Sequence, residues 1–233
     1  MDIKHIGRRE AMGMLGAAGA AFALGCGGES VTSPSTATTT TTTTTPGTSS
    51  ACAVTPAETI GPYPSLTDLV RSDIREGKSG TTLTLTITVV NTNDSCNPVP
   101  GANVEIWQCD ATGNYSQYGS QTAQTYLRGI QPTNGNGDAT FTTIYPGWYQ
   151  GRATHIHIEV VRNGTSVKVT QIAFPESSNA AVYATGVYAS RGSNPTSNSS
   201  DGIFADSIAS ELATVTGDPT SGYTATFKVG IAV

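Results

Sequence analysis

Thr82-Leu83-Thr84-Leu85-Thr86-Ile87-Thr88-Val89-Val90 decides the fold. Polar and aliphatic residues alternate over almost its whole length. A period of two puts every second side chain on one face, so the stretch reads as a strand with one face on a core. Reading outward, Asn91 to Gly101 is a turn-rich connection, and Ala102 to Gln108, with Val104, Ile106 and Trp107, is a second strand. Asp110-Ala111-Thr112-Gly113-Asn114-Tyr115 leaves it as a turn, and Leu127-Arg128-Gly129-Ile130 is short and extended. Asn134-Gly135-Asn136-Gly137-Asp138 is a tight turn by its Asn-Gly pairs. Strands follow over Ala139 to Ile144, Thr154 to Arg162, Val167 to Phe174 and Tyr223 to Val233. Leu66 to Gly77 suggests a turn with a helical piece, Pro175 to Pro195 a loop, and Ile203 to Thr214 one short helix. Several short strands between turn signals, with little helix, give an all-β chain: a β-sandwich of mostly antiparallel strands whose long loops carry its chemistry.

The domain occupies residues 51–233. Residues 1–28 read as an export signal, with Lys4, Arg8 and Arg9 ahead of the apolar run Ala11 to Leu24. That run is too short to favour a spanning helix. Arg8-Arg9 fits a twin-arginine signal, although the residues after it depart from that pattern and an ordinary charged leader is the alternative. Ala23-Leu24-Gly25-Cys26 resembles a bacterial lipoprotein processing site, with leucine one position nearer the cysteine than usual. On that reading Cys26 carries lipid, and the protein is exported to the cell envelope or beyond and tethered to a membrane. Residues 29–50 are almost pure Thr, Ser, Ala and Pro, with no apolar surface to offset ordering, and read as a disordered tether. An exported domain with Cys52, Cys96 and Cys109 expects one disulfide and one buried free thiol, the pairing left open.

The net charge of -5 leaves no basic stripe for phosphates, which excludes nucleic acid as a partner. Histidine is rare: beyond His5 in the leader there are only His155 and His157, inside Tyr149-Gln150-Gly151-Arg152-Ala153-Thr154-His155-Ile156-His157-Ile158-Glu159-Val160. On a strand, residues i and i+2 share a face, roughly 6–7 Å apart, so two imidazoles can converge on one ion if further ligands arrive. Two hydrogen-bonded, inert imidazoles are the bland alternative. Glu159 shares their face and would complete a two-histidine, one-carboxylate set or a zinc hydrolase site. It would lie roughly 13 Å from His155, too far to meet the same ion easily. Tyrosine is the other donor. Tyr149 precedes the strand and can fold back on it, and Tyr115 follows the Gly113 turn. A phenolate is a hard anionic ligand that needs a strongly acidic ion to displace its proton, which suits ferric iron.

These residues also carry a resemblance. Gly113-Asn114-Tyr115, Leu127-Arg128-Gly129, Thr143-Ile144-Tyr145-Pro146-Gly147-Trp148-Tyr149-Gln150-Gly151-Arg152 and His155-Ile156-His157 resemble the intradiol ring-cleavage dioxygenases, as does the leading loop Thr59-Ile60-Gly61-Pro62-Tyr63. The likeness runs from about Cys52 to the C-terminus and is nearest the exported, stand-alone branch. It implies an Fe(3+) cofactor on Tyr115, Tyr149, His155 and His157. It implies a catecholic substrate and O2, and ring opening between the two hydroxyl-bearing carbons to a cis,cis-muconate-type diacid. Tyr149 then matches the ligand released on substrate binding, able to accept a substrate proton. Arg152 matches an arginine whose fixed charge stabilises anionic character on the ring, and Gln171 a glutamine near the same site. Pro62, Tyr63 and Trp148 are expected to line the substrate pocket, and Arg128 to brace the metal loop. No basic cluster near Gly61 to Tyr63 favours a carboxylate-bearing catechol, so catechol, protocatechuate, hydroxyquinol and lignin-derived catechols stay open. A tethered β-sandwich binding module without catalysis is the alternative from another class.

Overall fold

Two hydrogen-bonded sheets face each other across one core in the computed structural model, which describes residues 52–233. The expected export signal, Cys26 and the tether over 29–50 lie outside the described residues. The first sheet is built on β1 (Thr82–Asn91), which pairs antiparallel with β5 (Asp138–Ile144) over most of its length and with the short β2 (Asn97–Pro98) at its end. On its other side β1 pairs with β9 (Gly222–Ile231), which pairs in turn with β8 (Thr214–Asp218). The second sheet has the order β4 (Arg128–Pro132), β3 (Asn103–Trp107), β6 (His155–Arg162), β7 (Thr165–Ala173), antiparallel throughout.

The alternation read from Thr82 to Val90 is visible as burial: Leu83, Leu85, Ile87 and Val89 are wholly buried, while the intervening threonines are partly so. They pack in the central core with Val104 and Ile106 of β3 and Ile156, Ile158 and Val160 of β6. Each such side chain contributes about 1.5–3 kcal/mol by leaving water.

The expected β-sandwich therefore stands, with four local differences. β9 runs parallel to β1, the one parallel strand pair among the named elements. A helix, α1 (Glu176–Tyr183), occupies the stretch read as loop. Its buried Asn179, Val182 and Tyr183 dock it on the core, and Tyr145 Oη donates to Asn179 Oδ1 at 2.8 Å. Leu66 to Gly77 holds no helix. Its backbone is spent on sheet contacts instead: Arg71 N–H donates to Ile130 O at 3.1 Å and Ile74 N–H to Thr142 O at 3.0 Å. β8 is a strand that its polar sequence did not announce. The short helix expected between Ile203 and Thr214 is α2 (Ile208–Glu211). Among the described residues no helix is long and apolar enough to cross a membrane.

Cys52 and Cys96 are joined, with Cα atoms 5.3 Å apart, and Cys109 is buried and free.

Candidate metal centre

β6 is buried on both faces, and this places the centre. Ile156, Ile158 and Val160 point into the sandwich, so His155, His157 and Glu159 point to the outer face of the second sheet. Loops cover that face. Register then lines up one residue from each strand: Arg128 opposite Trp107, Trp107 opposite His157, His157 opposite Gln171. The Trp107 indole stacks on the His157 ring, centroids 4.9 Å apart and planes 3° from parallel.

The leading loop crosses this row. Gln171 Nε2 donates to Thr59 O at 2.8 Å at one end, and Arg128 donates to Tyr63 O at 2.9 Å at the other. Between them Gly61 lies against the Cε1 end of His157. Arg128 is buried and gives its other donors to Ser116, Nε to Oγ at 2.9 Å and a terminal nitrogen to the carbonyl at 2.7 Å. It braces two loops through hydrogen bonds.

Two turns bring the tyrosines in. Asp110 Oδ1 accepts from Thr112 N at 2.9 Å and Asn114 N at 3.0 Å, closing the turn that ends at Tyr115. Gly147, in the other turn, lies where a Cβ would meet Asp110 O at 2.2 Å, and Gly113 where one would meet Trp148 O at 2.5 Å. The two turns nest backbone to backbone because neither position has a side chain. Tyr115 and Tyr149 consequently sit with ring centroids 5.7 Å apart.

Three donor atoms converge, and the Tyr115 ring stands beside them. His155 Nε2 and His157 Nε2 are 3.2 Å apart, and Tyr149 Oη is 3.4 Å from His155 Nε2. The Tyr115 ring lies 6.2 Å from His157, and its buried hydroxyl has no hydrogen-bond partner. The His155 Nδ1–H donates to Ala153 O at 2.6 Å, which turns the Nε2 lone pair toward the cluster. Burial, then the Arg152 cation, pushes the His155 pKa down to about 3. Burial, then its neighbour His155, holds His157 well below the ordinary histidine value. Both rings are neutral and able to ligate. Burial raises the Tyr115 phenol well above its usual range and raises Tyr149 too, against the pull of Arg152. A separation of 3.2 Å suits two nitrogens that each lie about 2.0–2.1 Å from a shared ion. A buried phenol without a partner costs about 1–3 kcal/mol, a cost that a cation on the Tyr115 oxygen would relieve. The set can hold one cation.

Glu159 does not join it. It sits one face-step further along β6, opposite Glu105 and Val169. Among the described residues no group of three or more His, Cys, Asp or Glu side chains is placed to hold a metal. A zinc site built on His155, His157 and Glu159 therefore lacks its third ligand.

Of the remaining expected residues, Tyr63 stacks on Tyr115 at 4.6 Å and meets Tyr149 edge-on at 5.9 Å. Pro62 is exposed beside it. Trp148 points elsewhere, packing on the main core with its Nε1 donating to Gly192 O at 3.1 Å and Arg191 over its ring at 4.3 Å. Arg152 donates through Nη2 to Gln171 Oε1 at 2.6 Å and through Nε to Asp201 Oδ2 at 2.9 Å. Asp201, Tyr118 and Phe204 complete the surroundings and were not singled out by the sequence. Nothing in their local pattern distinguishes them from ordinary loop residues.

A family profile described as dioxygenase matches residues 59–193, the span that holds the leading loop, both tyrosines and both histidines. An intradiol ring-cleavage dioxygenase from Tetranychus urticae superposes with a TM-score of 0.70 at 32% identity, covering 78% of this chain and 95% of that one. The dioxygenase domain of a carbohydrate-binding fusion protein from Streptomyces sp. SirexAA-E does so with a TM-score of 0.60 at 28% identity, covering 78% and 99%. A Candida albicans protein named catechol 1,2-dioxygenase is 33% identical over 109 residues, 37% of this chain and 36% of its own length. The fold, the profile and these relatives agree, and the chain belongs to the intradiol ring-cleavage dioxygenase family.

Proposed function

We propose that the protein is a non-haem iron(III) dioxygenase that inserts both atoms of O2 into a catecholic ring between its two hydroxyl-bearing carbons, giving a cis,cis-muconate-type diacid. The observation that carries this reading is the clustering of two neutral imidazoles with one buried and one half-buried phenol, Tyr115 and Tyr149. The donor set fits ferric iron. Phenols raised by burial lose their protons only to a strongly acidic ion, and two phenolates favour the oxidised metal. Iron held by Tyr115, Tyr149, His155 and His157 would supply Lewis acidity toward a catecholate and accept electron density from its ring.

The chain's own residues do the rest. Tyr149, the more exposed of the two tyrosines, can take a substrate hydroxyl proton on its Oη. Tyr115 and His157 are enclosed and hold their places. The Arg152 guanidinium offers fixed positive charge to anionic character on the ring. Tyr63 presents an aromatic face beside both phenols and keeps water from them, with Pro62 at the rim. The substrate is proposed as a catecholic compound, in keeping with the name of the Candida albicans relative. Export and anchoring through Cys26 rest on residues 1–28, and the Cys52–Cys96 disulfide, a feature of oxidising compartments, supports export.

The test is the visible spectrum of the ferric-loaded protein, before and after anaerobic catechol. A tyrosinate-to-iron band that shifts on catechol addition, then the diacid on admission of O2, is the expected result. A protein that stays colourless after ferric reconstitution overturns the ligand assignment and turns the reading toward a binding module.

A further inference from the structure

We infer that Asp201 is a positioning residue: its carboxylate holds the Arg152 guanidinium and the Ala153 peptide in the arrangement that keeps the cation beside the tyrosine–histidine cluster. This rests on the function proposed above, since it is for an anionic ring that the cation is wanted. Asp201 is wholly buried, and its oxygens are divided between three donors. Oδ2 accepts from Arg152 Nε at 2.9 Å and from Ala153 N at 2.5 Å, and Oδ1 accepts from Ile203 N at 2.8 Å. A flexible arginine is thereby held at its Nε by a carboxylate that is itself buried and tied to two backbone N–H groups.

The same short segment takes further hold of Arg152. Asn194 Nδ2 donates to Arg152 O at 3.0 Å, and the Phe204 ring lies 5.7 Å from the guanidinium carbon and 6.4 Å from the His155 ring. Gln171 closes the arrangement from β7, accepting from Arg152 Nη2 at 2.6 Å while holding Thr59 O. Asp201 also reaches the histidine. Ala153, held by its N–H, uses its carbonyl, in the next peptide along, to accept from His155 Nδ1–H at 2.6 Å. One carboxylate thus sets the position of the charge and anchors the backbone at Ala153 from which β6 departs. Groups one shell away from a metal commonly matter about 10–100-fold.

The experiment compares full-length, ferric-loaded wild type, D201N, R152A and the double variant with catechol as the probe. We expect D201N to keep the visible band and the melting profile. Its kcat should fall ~10–100-fold with KM held within about threefold, and the loss should vanish in the R152A background. A wild-type kcat in D201N, or a loss that adds in full to that of R152A, overturns the inference. Loss of the visible band in D201N overturns its arginine arm, because Asp201 would then act on the ligands. By NMR, the Arg152 Nε–H should exchange slowly in wild type and rapidly in D201N. Equal exchange rates overturn the inference whether or not catechol is turned over, whereas wild type without band or turnover overturns the proposed function alone. Should D201N not fold, Asn194→Ala loosens the same segment from Arg152 at a half-buried position and enters the same cycle. A loss absent in the R152A background supports positioning by this segment, and an additive one refutes it.

Discussion

At Gly61 the backbone turns with φ +74°, and a methyl group there would come within 2.8 Å of His157 Cε1. The ring cannot retreat easily, because the Trp107 indole lies parallel to it and both are wholly buried. Gly61→Ala should therefore push the leading loop off the histidine rather than shift the ring. The left-handed conformation adds about 1 kcal/mol of its own. The expected outcome is a kcat lowered about 10–100-fold, a displaced tyrosinate band and only a small drop in melting temperature. Unaltered spectrum and turnover would mean that the loop is not in contact with the centre in solution. At this scale the sequence was most legible where chemistry is rare. Two histidines at i and i+2, with a tyrosine six residues before the first, stand out in any chain this poor in histidine. Asp201 did not stand out: an aspartate in a polar loop becomes special only through the fold that brings Arg152 and Ala153 to it. Trp148 shows the converse, since the resemblance suggested the pocket while its ring packs against the core.

Among the elements, the segment from Cys52 to Glu58 is not a loose lead-in. Thr55 N–H donates to Gly230 O at 3.0 Å on β9, Glu58 N–H to Val169 O at 2.9 Å on β7, and Lys168 Nζ to Thr55 O at 2.6 Å. The disulfide ties its start to Cys96, 44 residues away, and the leading loop follows directly. Replacing both cysteines by serine should cost about 2–4 kcal/mol in urea unfolding. The hydrogen bonds remain, so the ferric spectrum should persist in dilute buffer; its loss would show that the bridge holds the loop as well as the fold. β1, whose period of two was clean, was readable because one of its faces is buried. α1 was not, because Glu176-Ser177-Ser178-Asn179-Ala180 carries no apolar stripe and its docking depends on Asn179 meeting Tyr145. The parallel β1–β9 pair was not readable either. It joins strands over 130 residues apart, and alternation within a strand says nothing about its partner's direction.

For the molecule as a whole, burial leaves an acidic residue under strain. Glu211 of α2 is enclosed, with Oε2 accepting from Ser207 Oγ at 2.5 Å and Oε1 without a partner. Burial first, with Glu58 and Asp206 adding to it against the Ser207 hydrogen bond, pushes its pKa from 4.5 up to about 7. Between those values the folded protein keeps a proton that the unfolded chain has lost, so stability falls as pH rises through the window. Glu211→Gln should flatten this slope. It should raise stability at pH 8 on the order of 1–2 kcal/mol and leave it unchanged at pH 4, as urea unfolding at the two values would show. Equal slopes in the two proteins would place the charge in water. The row Arg128–Trp107–His157–Gln171 has a consequence at the same scale. Its ends are three inter-strand gaps apart, ~14 Å at about 4.8 Å each, and they fasten the leading loop at Tyr63 and Thr59. The span over the candidate centre is thus measured out by the sheet's own spacing and not by the loop. Ile60 and Pro62 can be exchanged between fixed endpoints while Gly61 stays, so what the pocket admits can be rewritten without moving the walls on which it hangs.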